Sequence, residues 1–390
     1  MSCYVSSNAN RLYAGLESGF GVVPAPVTAD RFAAVKLTAR QRSAQAERRD
    51  KTGSRTFPGT PAGQRRKTTF ELQAYLTGWG GGAQRPGYAP LIQAAMGGAP
   101  LHYAGGVTGP GSTATQLAFS AVHGLVSGQA VTYQGELRFV AAVVDATKVQ
   151  VNAPFSTVPA AGAPIGATLT YFPATELPSV SLFDYWSPAT AVQRIVCGAS
   201  VDKMTIKVNG DYHEFEFSGP AQDLIDSSSF SSGIGSLGTF PAEPAVQQLN
   251  AQAVPGHLGQ AWLGSASDRF LTITSALFTL ANNLDARANE FGSSMPQCMM
   301  PGKREVGVDF DLYQNDEAAT VGLYQAARQE SPVPVMFQPG QQTGQMFGVY
   351  LKSVVPEVPD FDDSDPRLQW RFRNSRAQGT VDDEIAVALG

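Results

Sequence analysis

Gly302-Lys303-Arg304-Glu305-Val306-Gly307-Val308-Asp309-Phe310-Asp311-Leu312 decides the reading of the fold, because an earlier stretch has the same layout: Gly63-Gln64-Arg65-Arg66-Lys67-Thr68-Thr69-Phe70-Glu71-Leu72. Both open on glycine and basic residues and then alternate apolar with polar side chains, the period of a strand with one buried face. Phe70 matches Phe310 and Leu72 matches Leu312, each pair 240 residues apart. Their surroundings match too. Upstream lie the strand-like segments Ala34-Val35-Lys36-Leu37-Thr38 and Leu271-Thr272-Ile273-Thr274-Ser275, each followed by a long polar stretch, 40–55 and 282–294. Downstream, residues 86–97 predict a short helix with proline in its first turn and Gly97 at its end. In the later copy a helix is expected after Asn315, with Asp316 and Glu317 in its first turn, where the helix dipole favours acids. The recurrence reads as two copies of one β-rich domain.

Each copy needs a second half. In the first, Met204, Ile206 and Val208 lead into Asn209-Gly210, and Phe215 and Phe217 return, a strong hairpin signal. In the second, 349–355 reads as one strand, and Leu368, Trp370 and Phe372 alternate with Gln369, Arg371 and Arg373 on the next. An insertion splits the first copy, with short apolar strands around 117–119, 130–133, 139–144, 149–151 and 169–172. It reads as a small β-barrel or sandwich, a separate module on the outside. Residues 226–255, rich in Ser, Gly and Pro, read as an interdomain linker.

Composition agrees. The chain has 390 residues, 28 Lys and Arg against 33 Asp and Glu, 40 Gly and 26 Pro, with 43% apolar residues. That excludes disorder, and the scarcity of Leu, Glu and Lys excludes a coiled coil. At roughly 100–200 residues per domain the length predicts two or three domains. The charge is uneven: residues 1–85 hold 13 basic against 5 acidic side chains, and residues 86–390 hold 15 against 28. A basic head fits nucleic acid, an anionic membrane, or the acidic end of another copy. Cys3, Cys197 and Cys298 form no disulfide or zinc pattern. No run approaches the ~18 apolar residues of a membrane span, and the start lacks a signal-peptide pattern, so the protein is expected in the cytoplasm when made.

Chemistry is sparse. His102, His123, His213 and His257 are isolated, with no metal-ligand spacing. There is no nucleophile elbow, P-loop or dinucleotide fingerprint. Glu357, Asp360, Asp362, Asp363 and Asp365 lack the spacing of a calcium loop, and Pro356, Pro359 and Pro366 predict an extended, exposed acidic loop. The expectation is no enzyme, no metal and no cofactor.

Several phrases resemble the tail tube (major tail) proteins of long-tailed bacteriophages. They are Gly19-Phe20-Gly21-Val22-Val23-Pro24 after Leu16-Glu17-Ser18; Pro86-Gly87-Tyr88-Ala89-Pro90-Leu91-Ile92-Gln93-Ala94-Ala95-Met96-Gly97; Cys197-Gly198-Ala199-Ser200-Val201-Asp202-Lys203-Met204-Thr205-Ile206 with Phe215-Glu216-Phe217-Ser218-Gly219; and Ser375-Arg376-Ala377-Gln378-Gly379-Thr380-Val381-Asp382-Asp383-Glu384-Ile385. The resemblance spans most of the chain outside 107–172. It implies a mainly β fold with minor α: two tandem tube domains, each a β-sandwich or barrel with a flanking helix, plus a small inserted Ig-like or barrel module. The boundaries would be 1–106 and 175–245 for the first tube domain, 107–174 for an outward-facing insertion, and 246–390 for the second. Inner strands of neighbouring subunits would join into a lumen-lining barrel, and a long loop would reach the next ring. Most members carry one domain and form hexameric rings, so two domains imply trimeric, pseudo-hexameric rings. The implied setting is a virion tail, with tape-measure, tail-terminator and distal tail proteins as partners and DNA passing without specific binding.

Charge patterning fits stacked rings, since head-to-tail contacts need unlike faces. The loop with Arg40, Arg42, Arg48, Arg49, Lys51 and Arg55 reads as a basic hairpin tip. Its counterpart in the adjacent ring would be the acidic run from Glu357 through Asp360, Asp362 and Asp363 to Asp365. Two other readings stand beside it. One is an adhesive tail component recognising glycans through aromatics such as Tyr133, Tyr171, Phe172, Tyr185 and Trp186. The other is a nucleic-acid-binding protein using the basic head.

Overall fold

The computed structural model describes residues 4–44, 50–57, 59, 63–79, 85–246, 249 and 252–390. Cys3, Arg48 and Arg49 lie outside the described residues.

Alternation builds the strands. Arg66–Tyr75 buries Thr68, Phe70, Leu72 and Ala74 and turns Lys67 and Glu71 outward. Glu305–Tyr313 likewise buries Val306, Val308, Phe310 and Leu312. The chain is mainly β, and the order of its elements recurs. A first front sheet runs Ala34–Ser43, Arg66–Tyr75, Glu214–Ala221, Lys203–Val208, each antiparallel to the next. A second runs Ile273–Ala281, Glu305–Tyr313, Gln369–Ala377, Asp360–Asp362 in the same order.

Behind the first lies a back sheet ordered Arg31–Phe32, Asn10–Leu16, Val180–Trp186, Arg194–Ala199, Asp223–Asp226. Behind the second, Asp268–Arg269, Gly259–Leu263, Val333–Pro339, Phe347–Val355 and Ala386–Leu389 repeat that order. A helix follows the second front strand each time, Ala89–Met96 and Ala318–Arg328. The first begins with Pro90 at the second helical position and ends on Gly97 at φ 95°, as its sequence predicts. The second starts later than expected: Glu317 caps it from outside, so neither Asp316 nor Glu317 is in its first turn.

The two front sheets share a seam. Lys203–Val208 pairs with Ile273–Ala281 from Lys203↔Ala281 to Val208↔Ala276. Met204, Ile206, Phe278 and Leu280 are at most 2% exposed there. Asn282 closes the end of the seam, donating from Nδ2 to the carbonyls of Ala95 at 3.0 Å and Val201 at 2.9 Å. One apolar core runs beneath both units, from Leu12 and Phe70 through Phe215 and Phe278 to Phe310 and Phe372.

Two segments differ from their sequence reading. The insertion has its own core around Leu117, Val131, Tyr133, Val149 and Phe155, yet it is not a free outer module. Its closing strand Thr168–Tyr171 pairs with Ala386–Leu389 on one side and Leu101–Tyr103 on the other, widening the second back sheet. Leu137 and Phe139 pack with Trp262, Met336 and Met346 of the second unit. At the centre of this contact Arg138 is fully buried. Its Nη2 donates to Glu136 at 3.0 Å and to Gln260 at 3.1 Å, and its guanidinium lies 4.7 Å from the Trp262 ring.

The expected linker also packs down. Phe230, Ile234, Leu237 and Phe240 cover the outer face of the first back sheet, against Tyr13, Phe183 and Tyr185. Glu243 then takes hydrogen bonds from Arg11 Nη2 at 2.7 Å and Tyr13 Oη at 3.0 Å. Ser and Gly set its irregular path, but four apolar side chains hold it in place.

Candidate assembly interface

The joined front sheets make one eight-strand run with two ends, a polar face and two lateral edges. Its strands of up to ten residues span about 33 Å at ~3.3 Å per residue. At one end Ser43 meets Arg66 and Ala281 meets Glu305, so both long loops, 44–65 and 282–304, leave from that end. They run side by side: Arg65 Nη1 donates to Asn289 Oδ1 at 3.2 Å, and the Arg66 amide donates to the Ser294 carbonyl at 2.7 Å. Phe57 in one and Phe291 in the other are wide open to solvent. The opposite end carries Ala34, Tyr75, Tyr313 and Gln369.

The expected basic tip divides. Arg40 and Arg42 are not at a tip: they sit within Ala34–Ser43, opposite Thr69 and Lys67, and point into solvent. The alternating pairing of Leu37, Ala39 and Gln41 with the buried strand beside them holds this segment extended. Lys51 and Arg55 are exposed in the loop beyond, and Arg48 and Arg49 fall outside the described residues.

The acidic run also differs from its reading. Asp360–Asp362 is a strand paired with Gln369–Ala377. Phe361 stacks on Trp370 at 5.4 Å, and Asp362 forms an ion pair with Arg371. Hydrogen bonds from Ser364 and the charge of Arg371 hold the Asp362 carboxyl below its usual range. Glu357, Asp360, Asp363 and Asp365 are exposed. Thus the basic strand and the acidic strand lie at the two lateral edges of the same run; on the acidic side Phe347–Val355 pairs with Arg376 and Ala377, so the open part is Asp360–Asp362, and the acidic loop caps the end opposite the long loops. The sequence reading missed Phe361, which is 57% exposed at the very edge. A lone aromatic among aspartates was the signal.

On the polar face, some cations are paired. Lys207 lies 2.5 Å from Glu216 and 3.8 Å from Glu214, and Arg373 lies 2.5 Å from Asp311. Elsewhere Arg66 meets Asp223 at 3.4 Å, and Arg304 meets Asp382 at 2.9 Å and Glu384 at 2.8 Å. Within the basic head, Arg11 and Arg66 are held in ion pairs, with Glu243 and Asp223.

Two of the phrases that carry the resemblance meet at one hub. The buried Glu17 carboxylate accepts from the amides of Gly21 and Gly198 at 2.8 Å and from the hydroxyls of Ser179 and Ser181 at 2.6 Å. Gly198, at φ 59°, admits no side chain, since a Cβ would fall 2.6 Å from Gln222 and 3.2 Å from the Phe20 ring.

The histidines stay apart. His213 is buried with Nε2 3.1 Å from the Leu258 carbonyl, and burial lowers its pKa. His123 is buried in the insertion, while His102 and His257 are exposed. Among the described residues no group of three or more His, Cys, Asp or Glu converges to hold a metal. No helix among them is long and apolar enough to cross a membrane. Tyr133, Tyr171 and Tyr185 are core residues, at most 3% exposed, and Phe172 and Trp186 are partly buried, so these five form no exposed stacking platform. Compared with known proteins, the chain matches no protein-family model and no curated sequence.

Proposed function

We propose that this chain is the repeating structural subunit of a phage-type tail tube. Copies join edge to edge into rings, and the rings stack into a tube through which DNA passes. The observation that carries the reading is the internal seam. The last front strand of one unit already pairs with the first front strand of an equivalent unit, and one strand of each kind stays open. Repeating that joint between chains extends the sheet, and closing it makes a ring. Two units per chain would make three copies a six-unit ring.

Other features favour the same reading. Long loops grouped at one end suit a head-to-tail axial contact, with Phe57 and Phe291 as apolar anchors. The polar face would form the lumen wall. Three of its cations, Lys207, Arg371 and Arg373, are held by carboxylates, which lowers the positive charge it offers to phosphate, as suits a conduit for DNA. The chain then acts in the virion tail by assembly alone, with neither catalytic group nor cofactor, and the docked insertion decorates the tube.

Electron microscopy and sedimentation of the full-length purified chain at rising concentration test the reading. Rings or tubes of constant width are expected. A monomer at every concentration and salt would sink it.

A further inference from the structure

The two open edges are not the same surface as the closed seam, although the fold makes them equivalent. Phe217 faces Leu72 as Trp370 faces Leu312, which sets Lys203, Met204 and Thr205 equivalent to Asp360, Phe361 and Asp362. Ala39 faces Phe70 as Ala276 faces Phe310, which sets Arg42 and Ser43 equivalent to Thr279 and Leu280. Within the chain, Thr205 pairs with Thr279 and Met204 with Leu280.

We propose that the acidic edge strand Asp360–Asp362 of one copy pairs antiparallel with the basic edge strand Ala34–Ser43 of a second copy, Asp362 opposite Arg42 and Phe361 opposite Ser43. This rests on the assembly reading and adds its partner strand, its register and its control by charge. It also moves the acidic run's partner from a neighbouring ring to a neighbour in the same ring.

Three observations converge. Phe361 is 57% exposed, whereas its equivalent Met204 is 1% exposed beneath the neighbouring strand. Both edges carry unpaired backbone, the usual site for strand addition. Their charges are opposite: Asp360 and Asp362 on one, Lys36, Arg40 and Arg42 on the other. Pairing either edge with its own kind would set like charges face to face, so the charges permit only the unlike joint. Arg42 would add to the existing Asp362–Arg371 pair, giving an Arg–Asp–Arg ladder across the seam. The neutral seam inside the chain is permanent, and the charged one between chains responds to salt.

Two measurements test the register. Chains carrying Phe361→Cys, mixed under oxidising conditions with chains carrying Ser43→Cys, should give an interchain disulfide. A partner carrying Lys36→Cys, about 23 Å farther along the strand at ~3.3 Å per residue, should give none. Within one chain the two edge strands stand at opposite ends of the eight-strand run, with six strands between them, so an intramolecular link does not compete.

Asp362→Arg or Arg42→Asp alone should raise the concentration needed for assembly about tenfold, and the two reversals together should restore it to within about threefold. Thermal melts of the dilute chain separate these effects from misfolding. Assemblies that persist without the link, and ignore both reversals, overturn the edge pairing and leave the assembly reading standing. A wild-type chain that never assembles overturns both.

Discussion

The closed seam at 203–208 and 273–281 and the open edges at 34–43 and 360–362 occupy the same place in two equivalent units, with opposite chemistry. The seam buries Met204, Ile206, Phe278 and Leu280. The edges present arginines, aspartates and a half-covered aromatic. A joint made once, during folding, can be apolar because its partner is always beside it. A joint awaiting another molecule must keep its edge in water without sticking to the wrong strand, and charge serves that purpose. Where the seam has Thr205 and Thr279, the edges have Asp362 and Arg42.

Shortening the aromatic on each side should affect the seam and the edge very differently. Phe278 packs edge-on against Phe337 at 5.2 Å and is 2% exposed, so Phe278→Ala should cost about 4 kcal/mol of folding stability. Phe361→Ala should cost under about 1 kcal/mol in the dilute chain, since only its half-exposed contacts with Trp370 and Tyr324 are lost. Denaturant melts of both variants check this. Equal losses would mean that the edge is already part of the core.

A third seam, between the insertion and the second unit, shows how a charged contact behaves when it is closed. Burial pushes the Arg138 guanidinium down to about 10, against the charge of Glu136, so it remains a cation at neutral pH. Burial raises the Glu136 carboxyl, but Arg138 and hydrogen bonds from Ser156 and Gln260 outweigh that and hold it below its usual range. Arg138→Ala would leave that carboxylate uncompensated, at a cost of about 3 kcal/mol. Replacing both, as Arg138→Met with Glu136→Gln, should recover most of it. Denaturation, with limited proteolysis of the insertion, measures both. If the single variant matches wild type, the insertion is only loosely attached.

The repeated unit was legible because Phe70, Leu72, Phe310 and Leu312 each stand on a strand with one buried face, and alternation records that directly. Three other features were not. Asp360–Asp362 looks like loop, since aspartates flanked by prolines have low strand propensity and the pairing is set by Trp370 and Arg371 on the neighbouring strand. The packed segment after Asp226 has Phe230, Ile234, Leu237 and Phe240 three or four residues apart, but Ser, Gly and Pro between them mask that spacing, so its composition read as linker. Docking of the insertion did leave a trace in Val333–Pro339, where Val335, Met336 and Phe337 are consecutive apolar residues buried on both faces. A run without alternation marks a strand covered on both sides, but it does not name what covers the second. Arg138 was invisible for a related reason: a lone arginine on a strand reads as solvated.

A further effect concerns the strap that covers the first back sheet, which, like the insertion, has no counterpart among the described residues of the second unit. Burial raises the Glu243 carboxyl, while hydrogen bonds from Arg11 and Tyr13 and the charge of Arg11 outweigh that, for a net downward shift. A carboxylate held below its unfolded value contributes fully at pH above that value, and loses its contribution as pH falls through the lowered one. Glu243→Gln should therefore destabilise the chain by about 2 kcal/mol near neutral pH, as charge-assisted hydrogen bonds are lost. The difference from wild type should shrink toward zero as pH drops below the ordinary carboxylate range. Melts across pH give the curve. A gap that stays constant with pH would mean that the four apolar side chains hold the strap and the ion pair only decorates it. Because the strap lies on the back sheet, away from both lateral edges, the same variant should leave the concentration dependence of assembly unchanged.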